Sequence, residues 1–177
     1  VTDILDDKVF ERLSEGKTVL LLYHRDTPGN RYYLPGALER FKPCIWDRGS
    51  NLGGIVYSER LRNALGSGRY FDLNWQGLLE AGYKVCLDDF PVPVEEHVCG
   101  IDKPVRDRMK GLVDNIKDFI DQDTLRNFSH LFSVRVGQGT LIVSTFRLKD
   151  TENPVVANCL AELLNHLSEY KTEKSIP

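Results

Sequence analysis

Phe128-Ser-His-Leu-Phe-Ser-Val-Arg-Val-Gly-Gln-Gly-Thr-Leu-Ile-Val-Ser-Thr-Phe146 is the stretch from which the fold is read. Phe132, Val134 and Val136 alternate with Ser133 and Arg135, the period of a half-buried strand. The run from Leu141 to Phe146 is rich in β-branched and aromatic residues, as a more deeply buried strand is. Between them, Gly137 and Gly139 offer the positive φ angles that a short hairpin loop needs.

Working outward, Asn153-Pro154 reads as a helix cap followed by proline at the first helical position. Ala157, Leu160, Leu164 and Leu167 then recur at helical spacing, and Val156 and Leu163 widen the stripe. The chain therefore ends as strand, turn, strand, helix. Its beginning reads as a helix over 6–15, capped by Asp6 and ended by Gly16. Thr18-Val-Leu-Leu-Leu-Tyr23 follows, an apolar run suited to a strand covered on both faces, as in a parallel sheet. That is the second half of a β-α-β unit with its first strand missing. Together with a first residue that is valine, this points to a piece of a longer protein.

Between these ends the signals are shorter. Strands are expected over 54–57 and 83–87, and helical turns over 59–65 and 71–79. Pro91 and Pro93 enforce an extended stretch. A helix is expected over 105–120, with Met109, Leu112, Val113, Ile116 and Ile120 on one side, and 171–177 reads as a frayed tail. Leu20, Leu22, Val85, Leu141, Val143, Leu160 and Leu164 are the expected core.

The 177 residues suit one domain, 1–177, with a sizeable core. A net charge of −3 gives no electrostatic reason to expect nucleic acid or an anionic membrane. No apolar run approaches the roughly 20 residues that span a bilayer, and no signal-peptide pattern opens the chain. Cys44, Cys86, Cys99 and Cys159 form no C-x-x-C pair and lack zinc-ligand spacing. Read as free thiols they fit a reducing, cytoplasmic compartment, although a Cys86–Cys99 disulfide stays open.

The chemistry-bearing residues offer no signature. Asp47, Asp72, Asp88, Asp89, Glu95 and Glu96 are candidate carboxylates for glycosidase chemistry, but their spacing sets no pair. None of Cys44, Cys86 and Cys99 has the small neighbours of a nucleophile elbow. His24 ends a buried strand, where α/β sheets place ligand contacts and also structural hydrogen bonds. The aromatics are more suggestive: Tyr32, Tyr33, Trp46, Tyr70, Phe71 and Trp75 fall in loop-rich sequence. Flat rings bind sugars and equally fill cores and interfaces. Tyr32, Tyr33, Trp46 and Trp75 are expected to form a partly exposed patch that meets another domain or a sugar. No catalytic, cofactor-binding or metal-binding residue is assigned, and no cofactor is expected.

Several stretches, taken in order, carry a resemblance. They are Gly16-Lys-Thr-Val-Leu-Leu-Leu, the 41–46 segment, Tyr70-Phe-Asp-Leu-Asn-Trp-Gln76, Leu87-Asp-Asp-Phe-Pro91, residues 131–143 and the helix at Asn153-Pro154. Over most of its length the chain resembles the C-terminal accessory domain of large bacterial glycoside hydrolases of the β-galactosidase-like kind, related to glycoside hydrolase family 2. The resemblance implies an α/β, three-layer domain with a mostly parallel sheet, flavodoxin-like or class I glutamine amidotransferase-like, without the catalytic cysteine. A terminal β-hairpin and C-terminal helix complete that expectation. It implies a non-catalytic role beside the catalytic domain of the same parent chain, with carbohydrate contact and oligomerisation both open. The rival readings are a stand-alone amidotransferase-like hydrolase and a carbohydrate-binding module.

Overall fold

A computed structural model describes residues 1–24, 26–36, 38–40, 53–72, 75–79, 83–101, 126–148 and 152–169. Outside these residues lie the 41–52 segment with Cys44, Trp46 and Asp47, the helix expected over 105–120, and the tail 171–177. The described residues form one mixed sheet of seven strands. They are β1 (Thr18–Leu22), β2 (Leu38–Arg40), β3 (Gly54–Val56), β4 (Tyr83–Cys86), β5 (Val94–Gly100), β6 (Phe128–Val136) and β7 (Gly139–Ser144). Among the described residues four helices accompany them: α1 (Asp7–Ser14), α2 (Glu59–Ala64), α3 (Gln76–Leu79) and α4 (Pro154–Glu169).

Strand direction corrects the expectation of a three-layer, mostly parallel, flavodoxin-like or amidotransferase-like sheet. Only β1 and β7 form a parallel ladder among the described strands, from Thr18 opposite Thr140 to Leu22 opposite Ser144. The β2–β4, β3–β5, β4–β6, β5–β6 and β6–β7 ladders are antiparallel. The order runs β1-β7-β6-β4-β2, with β5 and β3 attached to β6 off that path. The physical reason is plain. An apolar run such as 18–22 reports that both faces are covered, whereas chain direction is set by connections that side-chain period does not encode.

The hairpin geometry explains two glycines differently. Val136 pairs with Gly139 across a two-residue loop, and Gly137 takes φ 62° there. Gly139 instead supplies room. A Cβ on it would stand 2.5 Å from the carbonyl oxygens of Leu13 and Lys17, because the end of α1 packs onto the hairpin. The α1 helix is tied at its start by Asp6, whose Oδ1 accepts from Val9 N at 3.2 Å.

Side-chain alternation sorts the core onto the two faces of the sheet. Val19, Leu21, Tyr23, Leu141, Val143, Phe132 and Val134 point to the α1 face, with Val9 and Leu13 of the helix, Val85 and Leu87. Leu20, Leu22, Ile142, Leu131, Val98 and Val56 point to the other face, against α2, α3 and α4. The connection from β4 to β5 passes on the α1 face, where Phe90 meets the Phe132 ring edge-on at 5.3 Å.

Leu20, Leu22, Val85, Leu141 and Val143 are buried as expected, but the buried side of α4 is rotated. Val156, Cys159 and Leu163 face the sheet, Leu160 is half-buried and Leu164 is 40% exposed. Both stripes have helical spacing, so period alone does not choose between them. Leu163→Ala should therefore cost about 2–5 kcal/mol in denaturant melts, the range for truncating a buried aliphatic. Leu164→Ala should stay within about 1 kcal/mol of the parent. Equal losses would put the helix face where the sequence pattern first placed it.

Candidate functional site

The aromatics expected to form one patch are divided. Trp75 is fully buried on the α4 face, stacked on Phe71 at 5.0 Å and tilted against Phe146 at 5.9 Å. It is a core residue, a correction to the surface role expected for it, and Trp46 lies outside the described residues. Tyr32 and Tyr33 remain at the surface, 43% and 63% exposed. They belong to the loop that follows β1, which folds back on the N-terminal segment and α1. Arg31 N and Tyr32 N both donate to Leu5 O, and Leu5 N donates to Asn30 Oδ1 at 2.8 Å.

Tyr32 is held firmly for an exposed ring. Its hydroxyl donates to Asp7 Oδ1 at 2.6 Å, its ring stands edge-on to Phe10 at 5.1 Å, and Arg31 pairs with the other Asp7 oxygen. The hydrogen bond to Asp7 raises the Tyr32 phenol above its ordinary value. The same bond, then Arg31, lowers the Asp7 carboxyl. Phe10 and Tyr32 thus form an exposed aromatic pair at α1, and Tyr33, the next residue of the same tied loop, is exposed as well. His24, at the end of β1, uses its carbonyl to accept from Thr27 N and Asn30 Nδ2, a structural role in the same loop.

A second arrangement lies where β5 meets β6. The β5–β6 ladder shifts register twice, between Glu96 and Val98 and between Val98 and Cys99. Phe132 faces Glu96, Leu131 faces Val98 and Ser129 faces Cys99. His97 is therefore the extra residue of β5, and His130 the extra residue of β6. A bulge re-aims the side chains beyond it. Three residues apart, Glu96 and Cys99 would point to opposite faces of a regular strand. The two bulges turn both to the α1 face, with Ser129, while Ile55 faces Cys99 and Tyr57 follows two residues on. The sequence signal was the unbroken polar run Glu95-Glu96-His97, which interrupts an otherwise strand-like segment.

The chemistry of this cluster favours neutral forms. Burial raises the Glu96 carboxyl, and contacts with Ser129 and Cys99 offset part of that. Burial pushes the Cys99 thiol up to about 11, and the Glu96 charge adds to it. Burial also raises Cys86 and carries Cys159 to about 12. None of these three thiols has thiolate character at neutral pH, so none is primed as a nucleophile. Cys86 and Cys99 are free, and β6 runs between their strands. Two strand spacings, about 9.5 Å, exceed the Cα separation a disulfide bridges.

The remaining candidates have structural work. Asp88 Oδ2 accepts from Asn127 N at 3.1 Å and from the Cys86 thiol. Glu95 faces away from Glu96, opposite Ser133. His97 Nε2 lies 3.1 Å from Ser133 Oγ, a nucleophile–base distance, but both side chains are buried within the sheet and bridge adjacent strands. Among the described residues no group of three His, Cys, Asp or Glu side chains is placed to hold a metal ion. Compared with known proteins, the sequence matches no family model and no curated protein.

His130 generates a pH test. Its Nδ1 lies 3.0 Å from Tyr83 O, and its ring stacks on Phe146. Burial pulls the imidazole down to about 4. A depressed histidine stabilises the fold fully above its unfolded value, about 6.5, and that contribution is lost as pH falls toward the folded value. The interval corresponds to about 3 kcal/mol. Melts of the protein should lose stability on this scale between pH 6.5 and 4, and His130→Asn should flatten that limb. An unchanged slope in the variant would assign the acid limb to other groups.

Proposed function

We propose that the chain is a non-catalytic accessory domain of a glycoside hydrolase, bracing the catalytic domain of the same parent polypeptide. The family resemblance suggests the parent activity. The observation that carries the bracing role is the exposed aromatic pair of Phe10 and Tyr32, fixed on Asp7, with Tyr33 exposed next to it in the chain. Exposed rings held by Asp7 and by backbone hydrogen bonds lose little freedom on contact, which is what a docking surface requires. Tyrosine is also among the residues that dominate interface energetics. Among the described residues, the neutral thiols of Cys86, Cys99 and Cys159 are not primed for nucleophilic attack, and Cys44 lies outside those residues.

A carbohydrate-binding role has one observation in its favour, the exposed Tyr33 ring, since an aromatic face can stack on a sugar. Glycan binding by the purified chain that disappears in Tyr33→Ala would establish that reading over bracing.

On the accessory reading, the purified chain does not hydrolyse aryl glycosides. In the parent enzyme, Tyr33→Ala should lower activity or domain association by about tenfold, the scale of one interface anchor. The melting temperature of this domain should be nearly unchanged. Turnover by the isolated chain that vanishes on replacing one Asp or Glu would overturn the reading.

A further inference from the structure

The Glu96 carboxyl is placed where a charge is poorly supported. Its Oε1 is buried and has no hydrogen-bond partner among the described residues. Glu96 as a residue is half-buried, and the side chains that contact its carboxyl are Ser129 and Cys99. Ser129 has one hydroxyl proton, and its oxygen lies 2.8 Å from Val98 O and 3.0 Å from Leu131 O. Cys99 offers a thiol, a weak donor. The titratable and charged groups that act on this cluster are Cys99 on the same strand, Tyr57 just beyond β3, and Arg69, which acts on Tyr57. No cation faces the carboxylate directly among them. A buried oxygen without a partner costs more when it is charged than when it belongs to a neutral acid.

The location gives this cost a structural target. Glu96 sits at the first register shift of β5, where the ladder to β6 is already interrupted. The bulged residues bond outside the β5–β6 ladder, with His97 O accepting from Tyr57 N and Ser58 N and His130 O accepting from Thr145 N, so a change at the bulges reaches the turn after β3 and the end of β7. Cys99 connects β5 to both of its neighbours: it pairs with Ser129 on β6 and with Ile55 on β3. A charge on the Glu96 carboxyl therefore acts where β3, β5 and β6 meet.

We propose that Glu96 makes the paired bulges of β5 and β6 a pH-responsive element, closed when its carboxyl carries a proton and loosened when it is ionised. The sign follows from burial, which raises the folded-state value above the ordinary 4.5. Below 4.5 both folded and unfolded chains hold the proton, and the stabilisation of the neutral acid is fully present. As pH rises through the folded value, that stabilisation is lost. The ionised state loosens the bulges and β3 beyond them, exposing the Tyr57 and Cys99 edge of the sheet.

Glu96→Gln keeps the shape and removes the charge, so it tests the device directly. The denaturation midpoint of Glu96→Gln should exceed that of the wild type at pH 8, and the difference should vanish at pH 4. Comparing the two proteins at each pH cancels the His130 contribution, which they share. Amide hydrogen exchange supplies a local readout. At pH 8, exchange at residues 98–100 and 128–131 should be several-fold faster in the wild type than in Glu96→Gln, and equal at pH 4. A midpoint difference that is the same at both pH values, or one favouring the wild type at pH 8, overturns the proposal. So does equal exchange at pH 8.

Discussion

The backbone hydrogen bonding of β6 is the constraint on which the other elements depend. Buried peptide groups must be paired, and β6 is buried along nearly its whole length. Residues 131–136 pair with β7 on one edge, and residues 128–129 take β4 on that same edge. The opposite edge is occupied by β5 from Phe128 to Val134. The remaining strands attach through these partners: β1 through β7, β2 through β4 and β3 through β5. A shift in β6 therefore moves the whole sheet.

The two faces of that sheet are closed by different means. The α4 face carries the larger rings, Trp75, Phe71 and Phe146, under α2, α3 and α4. Among the described residues, the α1 face is covered by the two-turn helix α1, the loop after β1 and the crossover that carries Phe90. Close approach substitutes for bulk there. Gly139 lets the end of α1 sit directly on the hairpin, and the 26–36 loop is sewn to Leu5 and Asp7 by hydrogen bonds.

Where the β6 ladder is irregular, the chemistry collects. Each of the two bulges inserts a histidine, and each histidine bonds within the sheet: His97 to Ser133 and His130 to the Tyr83 carbonyl. Beyond them the side chains change face, and Glu96, Cys99 and Ser129 come together. The same irregularity thus produces a neutral buried imidazole and a poorly supported carboxyl. The His130 imidazole and the Glu96 carboxyl lie within one patch of strand pairing. The tyrosine surface belongs to the α1 layer and owes nothing to the bulges.

The sequence by itself determined the elements whose signal is local. The hairpin of β6 and β7, the cap and glycine stop of α1, and the asparagine–proline start of α4 are set by backbone preferences within a few residues. Burial of β1 on both faces was legible for the same reason, since five consecutive apolar residues follow Thr18. Strand direction and order were not, because they depend on which distant segments satisfy each edge. The rotation of α4 was not legible either: two stripes fit its period, and contact with the sheet selected Val156, Cys159 and Leu163. Trp75 reads as a loop aromatic until Phe71 and Phe146 are brought around it. Above all, Glu96 and Cys99 share a face only because bulges in two paired strands compensate one another. A bulge is defined by the register between chains, and no single strand carries that information in its own sequence.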